Sequence, residues 1–230
     1  MDKKSWYYAI RPWTFPAAIS PVIAGSAMAG ADGHWNFFAA ISAMATVVLI
    51  QTGTNFVNDI SDFKKGADTV RTLGPLRVLQ AGLISVRTLS RAAFAVFAAA
   101  ILIGLMIVMI QKIWLLIPVG LLCVAAGIFY TAGPYPAAYL GLGELMVIMF
   151  FGPVAAAGTY YLQAKTLTWP VVLAGLGCGL ICCGILIINN YRDYEEDQAV
   201  GKKTLAVRFG RRFAQWEYLF VIVTAAMLPI

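Results

Sequence analysis

Seven of the eleven carboxylates in this 230-residue chain fall in two short stretches, Asp59, Asp62 and Asp68 in one and Asp193, Glu195, Glu196 and Asp197 in the other. The stretches also match in wording, Asn58-Asp59-Ile60-Ser61-Asp62 against Asn189-Asn190-Tyr191-Arg192-Asp193. Residues three or four apart share a helix face, so Asn55, Asp59 and Asp62 form one stripe and Asn189, Asp193 and Asp197 a second. Gly66 offers a break at which the chain turns and returns Asp68 to the first set. Clustered carboxylate and amide oxygens repel one another unless a cation lies between them. Hard oxygen donors suit Mg²⁺, which typically takes one or two carboxylates together with substrate phosphates. The expected metal set is therefore Asn58, Asp59, Asp62, Asp68, Asn190, Asp193 and Asp197, with Asn55 and Asn189 beside it on the substrate side. Lys64, Lys65, Arg71, Arg77, Lys202 and Lys203 lie in the same two stretches and suit the phosphate oxygens that the metal leaves over. Two solvated loops pairing acids with nearby bases is the competing account, and it explains a single loop better than two matched ones.

The elements that must position these residues are set by an unusual composition. The chain is 60% hydrophobic and only 12% charged, with a mean hydropathy of +0.78, whereas soluble domains carry about 25% charged residues. That excludes a water-soluble domain, a disordered chain and a nucleic-acid-binding module. A helix needs roughly 20 apolar residues to cross a bilayer core of about 30 Å. Such runs occur at about 13–30, 36–56, 90–110, 113–132, 141–163 and 168–190, and a seventh begins near 214. The expected fold is an all-α, polytopic transmembrane helical bundle with about seven apolar segments, forming a single domain over 1–230. The last segment is short, so the chain is expected to be truncated at its C-terminus. The four cysteines lie in apolar runs without metal-ligand spacing and are expected to be free thiols.

Sidedness follows from the bases. Lys and Arg number three before the first run, six between the second and third and six after the sixth, while the alternate side holds only Lys112 and Lys165. The positive-inside rule then puts the N-terminus and both acidic stretches in the cytoplasm of a multi-pass cell-membrane protein. His34 falls on the other side, as a surface histidine. Because four runs separate the two acidic stretches, an even number, their helices run in the same direction and both stretches meet the same water. Apolar helices around a magnesium diphosphate site imply a ligand with a charged head and a long apolar tail, and a polyprenyl diphosphate has that shape. A cation-coupled transporter is the rival class, but its charges belong at mid-membrane, not at one face.

With those residues placed, the chain resembles the UbiA superfamily of intramembrane aromatic prenyltransferases, whose first motif reads N-D-x-x-D with a later Asp, here Asn58, Asp59, Asp62 and Asp68. The second motif, D-x-x-x-D, is Asp193 and Asp197. Within the superfamily the stretches at 11–21, 62–69, 74–85, 130–136, 139–144 and 201–210 are most similar to the branch that prenylates 1,4-dihydroxy-2-naphthoate in menaquinone biosynthesis. The resemblance implies Mg²⁺-dependent transfer of a polyprenyl group to that aromatic acceptor, with loss of CO₂, giving demethylmenaquinone and diphosphate. Other acceptors of the superfamily are 4-hydroxybenzoate, homogentisate and a haem precursor. The resemblance further implies a nine-helix fold, of which this chain would stop inside the seventh. Asp62 and Asp193 are then expected to be catalytic. Tyr130, Phe129, Phe150 or Phe151 would shield an allylic cation with their ring faces. Glu144, an acid just inside the fifth run, is costly there unless it faces a polar cavity and is expected to bind the acceptor hydroxyl. Arg11 and Arg77 are expected to meet either the acceptor carboxylate or the diphosphate. Gly175, Gly177, Gly179 and Gly184 are expected to serve close helix packing.

Overall fold

The computed structural model describes residues 3–66 and 74–228, so Asp68 and Arg71 lie outside the described residues. Among the described residues the structure is helical throughout, without strands. Helix α1 (Lys3–Ile10) leads through a 3₁₀ turn at Pro12–Thr14 into α2 (Phe15–Ala31), followed by α3 (Phe37–Lys64), α4 (Val86–Gln111) and α5 (Leu116–Phe129). Next come α6 (Gly143–Met149), a π-helical turn at Phe150–Val154 and α7 (Ala155–Ala164). The chain continues as α8 (Trp169–Arg192), α9 (Tyr194–Ala199), α10 (Leu205–Phe209) and α11 (Arg211–Met227). Five stretches are long and apolar enough to cross a membrane, namely Lys3–Ala31, Phe37–Lys64, Val86–Gln111, Gly143–Ala164 and Trp169–Arg192. With the shorter apolar α5 and the 17-residue α11, each of the seven apolar runs has its helix. The chain is a multi-pass membrane protein.

Local chemistry sets the helix ends. The Asn36 and Ser85 side chains accept the N–H groups of Ala39 and Thr88, capping α3 and α4, which satisfies donors that a helix start leaves orphaned. At the opposite ends Lys112 and Lys165 adopt left-handed conformations that close α4 and α7. Within the fifth span Gly152 takes non-helical angles ahead of Pro153, splitting what the sequence reads as one run into α6 and α7. The same break lets α8 approach closely. A Cβ at Gly179 would stand 2.2 Å from the Ile148 carbonyl oxygen, and one at Gly175 2.9 Å from Pro153 Cα. Both glycines therefore serve packing as expected, whereas Gly177 has no close neighbour beyond Leu228 at 4.0 Å. All four cysteines are free.

Helix length delivers the site to the membrane edge. The 28 residues of α3 span about 42 Å at 1.5 Å per residue, more than the roughly 30 Å hydrocarbon core. Its last turns, with Asp59 and Asp62, extend past the apolar layer. There Phe56 and Ile60 pack with Ala9, Val78, Leu79, Ile84 and Leu89 in one buried cluster. Each buried Val or Leu contributes about 1.5–3 kcal/mol, which holds the 74–85 segment, and Arg77 within it, against α3. A second cluster of Leu180, Cys183 and Ile187 with Ala206, Ala214 and Val221 docks α10 and α11 on α8 and fixes the loop that follows Asp193.

Candidate functional site

At the end of α3 the Asp59 carboxylate, 1% exposed, is gripped by two guanidinium groups. Arg77 Nη1 donates to Asp59 Oδ1 at 2.5 Å and to Asn58 Oδ1 at 3.1 Å, and its Nη2 lies 3.7 Å from Asp62 Oδ2. Arg11 pairs with the same Asp59 oxygen and donates to Asn58 Oδ1 at 3.1 Å. Arg11 is left-handed at φ 55°, directly before Pro12, a sparsely populated backbone for an L residue. Its position is held from both sides, because Asn55 Nδ2 donates to the Ile10 carbonyl at 2.9 Å and to the Thr14 hydroxyl at 3.1 Å. Asn55 thereby braces the turn that presents Arg11.

The second acidic stretch does not continue one helix. α8 ends at Arg192, and Asp193 joins it to α9, yet the fourfold spacing survives the bend: Asp193 N–H donates to Asn189 and Asp197 N–H to Asp193, at 2.9 and 2.8 Å. Arg192 holds Asp193 in a two-pronged contact of 2.5 and 2.8 Å, a pairing the sequence reading missed although the two are adjacent. The loop then returns, with Lys202 N–H donating to the Asp197 carbonyl at 2.9 Å. Lys202 Nζ stands 3.4 Å from Asp197 and 3.8 Å from Asp62, so one ammonium group bridges the two acidic stretches. Burial, reinforced by Asp193 and Asp62 and only partly offset by Lys202, pushes the Asp197 carboxyl above the usual aspartate range.

A third segment, residues 130–142, closes over both. The Tyr139 hydroxyl donates to Asp62 Oδ1 at 3.0 Å, Lys65 Nζ donates to the Thr131 carbonyl at 3.1 Å, and Arg208 Nη2 donates to the Leu140 carbonyl at 2.9 Å. Tyr139 went unassigned in the sequence, where its only signal is its place in the stretch at 139–144. Although Lys65 is exposed as a residue, partial desolvation of its ammonium end lowers it below the usual lysine value of 10.5, against the pull of Asp62.

These parts face a cavity of about 690 Å³. Its polar end is lined by Arg11, Arg77 and Lys202, by Asp62, Asp193 and Asp197, and by Asn55, Asn58, Asn189 and Asn190. From there it continues past Tyr130, Phe150 and Phe151 to Val47, Ala43 and Leu162. Asp62 and Ala43, 19 positions apart on α3, are about 28 Å from each other along the helix. The cavity thus reaches from the acidic end of α3 well into its apolar part. Glu144, 5% exposed, lines it and accepts a hydrogen bond from Asn190 Nδ2 at 2.8 Å, the polar surrounding an acid at that depth requires.

Not every expected site residue meets this cavity. Asp59 lies behind the lining as the brace of Arg11 and Arg77, and Lys64, Lys65 and Lys203 are exposed outside it. Phe129 also stands outside, 56% exposed, and His34 is a surface residue.

The donors that do converge fit a divalent cation carried with a phosphorylated ligand. Asp59, Asp62, Asp193 and Asp197 are matched by Arg11, Arg77, Arg192 and Lys202, so the polar end offers little net positive charge to a diphosphate. Among the described residues no three His, Cys, Asp or Glu side chains already form a metal cage. Mg²⁺ does not need one, because it keeps several waters and takes one or two carboxylates plus substrate phosphates.

Residues 18–230 match the UbiA prenyltransferase family. The chain is 35% identical to 1,4-dihydroxy-2-naphthoate octaprenyltransferase of Haemophilus influenzae, over 97% of this chain and 75% of that protein. It is 38% identical to 1,4-dihydroxy-2-naphthoate octaprenyltransferase of Escherichia coli, over 90% of this chain and 69% of that one. Its fold is similar to the structure of a UbiA homolog from Archaeoglobus fulgidus bound to GPP and Mg²⁺, with a TM-score of 0.77 at 16% identity, over 97% of this chain and 76% of that chain.

Proposed function

The chain belongs to the UbiA prenyltransferase family, and from that premise we propose that it transfers a polyprenyl group from polyprenyl diphosphate to 1,4-dihydroxy-2-naphthoate. The observation that carries this reading is a single cavity that extends about 28 Å along α3, with two matched acidic stretches at one end and an apolar bore below them. The naphthoate acceptor is supported by the relatives, which carry that name at 35% and 38% identity.

Asp62, Asp193 and Asp197, with Asn58 and Asn190, are the residues that would hold Mg²⁺ on the diphosphate, where the ion supplies positive charge that offsets the charge growing on the leaving oxygens. Arg77, Arg11 and Lys202 add fixed cations at the same end, preorganised for that charge. The tail of the donor lies along the apolar bore, which shuts water away from the allylic carbon. As the carbon–oxygen bond to diphosphate breaks, Tyr130, Phe150 and Phe151 present aromatic faces to the cationic carbon. Glu144, oriented by Asn190, accepts the hydrogen bond of a ring hydroxyl and raises the electron density of the ring. The ring carbon bearing the carboxylate forms the new carbon–carbon bond and then releases CO₂. That release returns the electron pair to the ring, so no separate base is required. The immediate product is the quinol, and its later oxidation gives demethylmenaquinone. The excess of Lys and Arg around both acidic stretches supports a cytoplasmic position for them.

The test uses membranes containing the protein, a radiolabelled polyprenyl diphosphate and either 1,4-dihydroxy-2-naphthoate or 4-hydroxybenzoate as acceptor. Lipid-soluble product with the naphthoate alone is expected. Product with the benzoate alone would move the acceptor, and product with neither would overturn the reading.

A further inference from the structure

Resting on the reading above, we propose that Tyr139 is a positioning residue that holds the two acidic stretches together and sets Lys202, which lines the cavity, where a diphosphate requires it, with Lys65 outside the cavity on the same ring. It touches each stretch through a different part of itself. Its hydroxyl donates to Asp62 Oδ1 at 3.0 Å, its main-chain carbonyl accepts the Lys203 N–H at 3.0 Å, and its ring lies under the ammonium groups of Lys65 and Lys202, 3.8 and 5.0 Å from the centroid. Lys65 lies three residues after Asp62 in the first acidic stretch, and Lys202 follows Asp197 of the second. The ring is therefore a platform shared between them, fixed on a 3₁₀ turn (Ala137–Tyr139) that carries no charge of its own.

The chemistry of each contact separates the two roles. A hydroxyl donated to one carboxylate oxygen fixes the rotation of Asp62, whose other oxygen faces Arg77 at 3.7 Å. The aromatic face attracts an ammonium group through its quadrupole without neutralising it. Lys202 also stands 3.4 Å from Asp197 and 3.8 Å from Asp62, and Lys65 donates to the Thr131 carbonyl, so the ring is a second, uncharged contact that keeps each ammonium group in place when a phosphate draws Lys202 from its carboxylates. Lys65 and Lys202 repel each other, as the downward pull of Lys202 on Lys65 indicates, and the shared ring offsets part of that repulsion.

Two substitutions divide the roles. Tyr139→Phe keeps the ring and removes the donor to Asp62; kcat is expected to fall about tenfold, the low end for a lost hydrogen bond to a charged group, with the KM for prenyl diphosphate unchanged. Tyr139→Leu removes the ring as well, and the KM for prenyl diphosphate is expected to rise about tenfold further while the acceptor KM holds. Affinity for a non-reactive thiodiphosphate analogue of the donor, measured on purified protein with Mg²⁺, is expected to match wild type in Tyr139→Phe and to weaken about tenfold in Tyr139→Leu. Melting temperatures confirm that each variant is folded, and Tyr139→Met stands in for the leucine if that variant does not fold. Wild-type analogue affinity in both variants, or equal losses in both, would overturn the proposal. A wild-type protein that binds the analogue but transfers nothing would instead overturn the functional reading, leaving the binding comparison to decide the role of Tyr139.

Discussion

Replacing Arg77 by methionine separates what braces the site from what performs the reaction. The Arg77 side chain is 6% exposed and faces Asp59, whose side chain is 1% exposed. Removing one partner of a buried pair costs about 3–5 kcal/mol, because the remaining charge is stranded. Arg11 still holds the same Asp59 oxygen, so the expected loss is at the low end, about 3 kcal/mol. At 2–4 °C per kcal/mol for chains of this length, the melting temperature should drop by about 6–12 °C. Adding Asp59→Asn takes the carboxylate from Arg11 as well, and the double variant should lose less than the sum of the two single losses, because the Arg77–Asp59 contact is counted in both. Such a departure from additivity is what residues in direct contact show. Activity should not recover, since the guanidinium group beside Asn58 and Asp62 is gone in both variants. The assay is a thermal melt of detergent-purified protein at fixed scan rate, paired with kcat/KM for prenyl transfer. A single variant that melts like wild type, or strictly additive losses in the double variant, would refute the argument that Asp59 is a brace charged by Arg77.

Three further outcomes are expected. Partial desolvation lowers the Lys65 ammonium, so its charge is complete well below that lowered value and is lost as pH rises through it; Lys65→Arg, which does not titrate in this range, should move the alkaline limb of the kcat/KM profile to higher pH, and an unmoved limb would rule the lysine out as its cause. Gly158 lines the bore and has open space beside its Cα, so Gly158→Phe should shift preference from long to short prenyl diphosphates, read by comparing kcat/KM for donors of two lengths. Gly179→Ala places a Cβ 2.2 Å from the Ile148 carbonyl oxygen and should cost about 1–3 kcal/mol of stability through overpacking, visible as a lower melting temperature.

Much of this architecture was legible because the bilayer restricts the options. Segments such as 36–56 had to be helices, since only there are all backbone groups paired inside the segment, and the excess of Asp after two of them stood out against an apolar background. Spacing alone placed Asp62 and Asp193 at one end of the bundle. It did not reveal that Asp59 turns from the cavity toward two arginines, because Arg11 and Arg77 reach it from 48 and 18 positions away. The Gly152 break was equally hidden, since a Gly-Pro pair within an apolar run reads only as a tolerated proline. Tyr139 escaped because its partners, Asp62, Lys65 and Lys202, come from segments remote in sequence. The bend at Asp193 shows the same limit, because a fourfold spacing of acids is equally consistent with a continuous helix.

The central claim is that the two acidic stretches act together on a metal-bound diphosphate. It is tested most directly by counting radiolabelled prenyl naphthoquinol in membranes holding wild type, Asp62→Asn or Asp193→Asn, with EDTA, and with Mg²⁺ restored. Product from wild type that vanishes with EDTA and returns with Mg²⁺, and that is absent in both folded variants, is the predicted result. Near-normal product from either variant, or turnover that persists in EDTA, would contradict it.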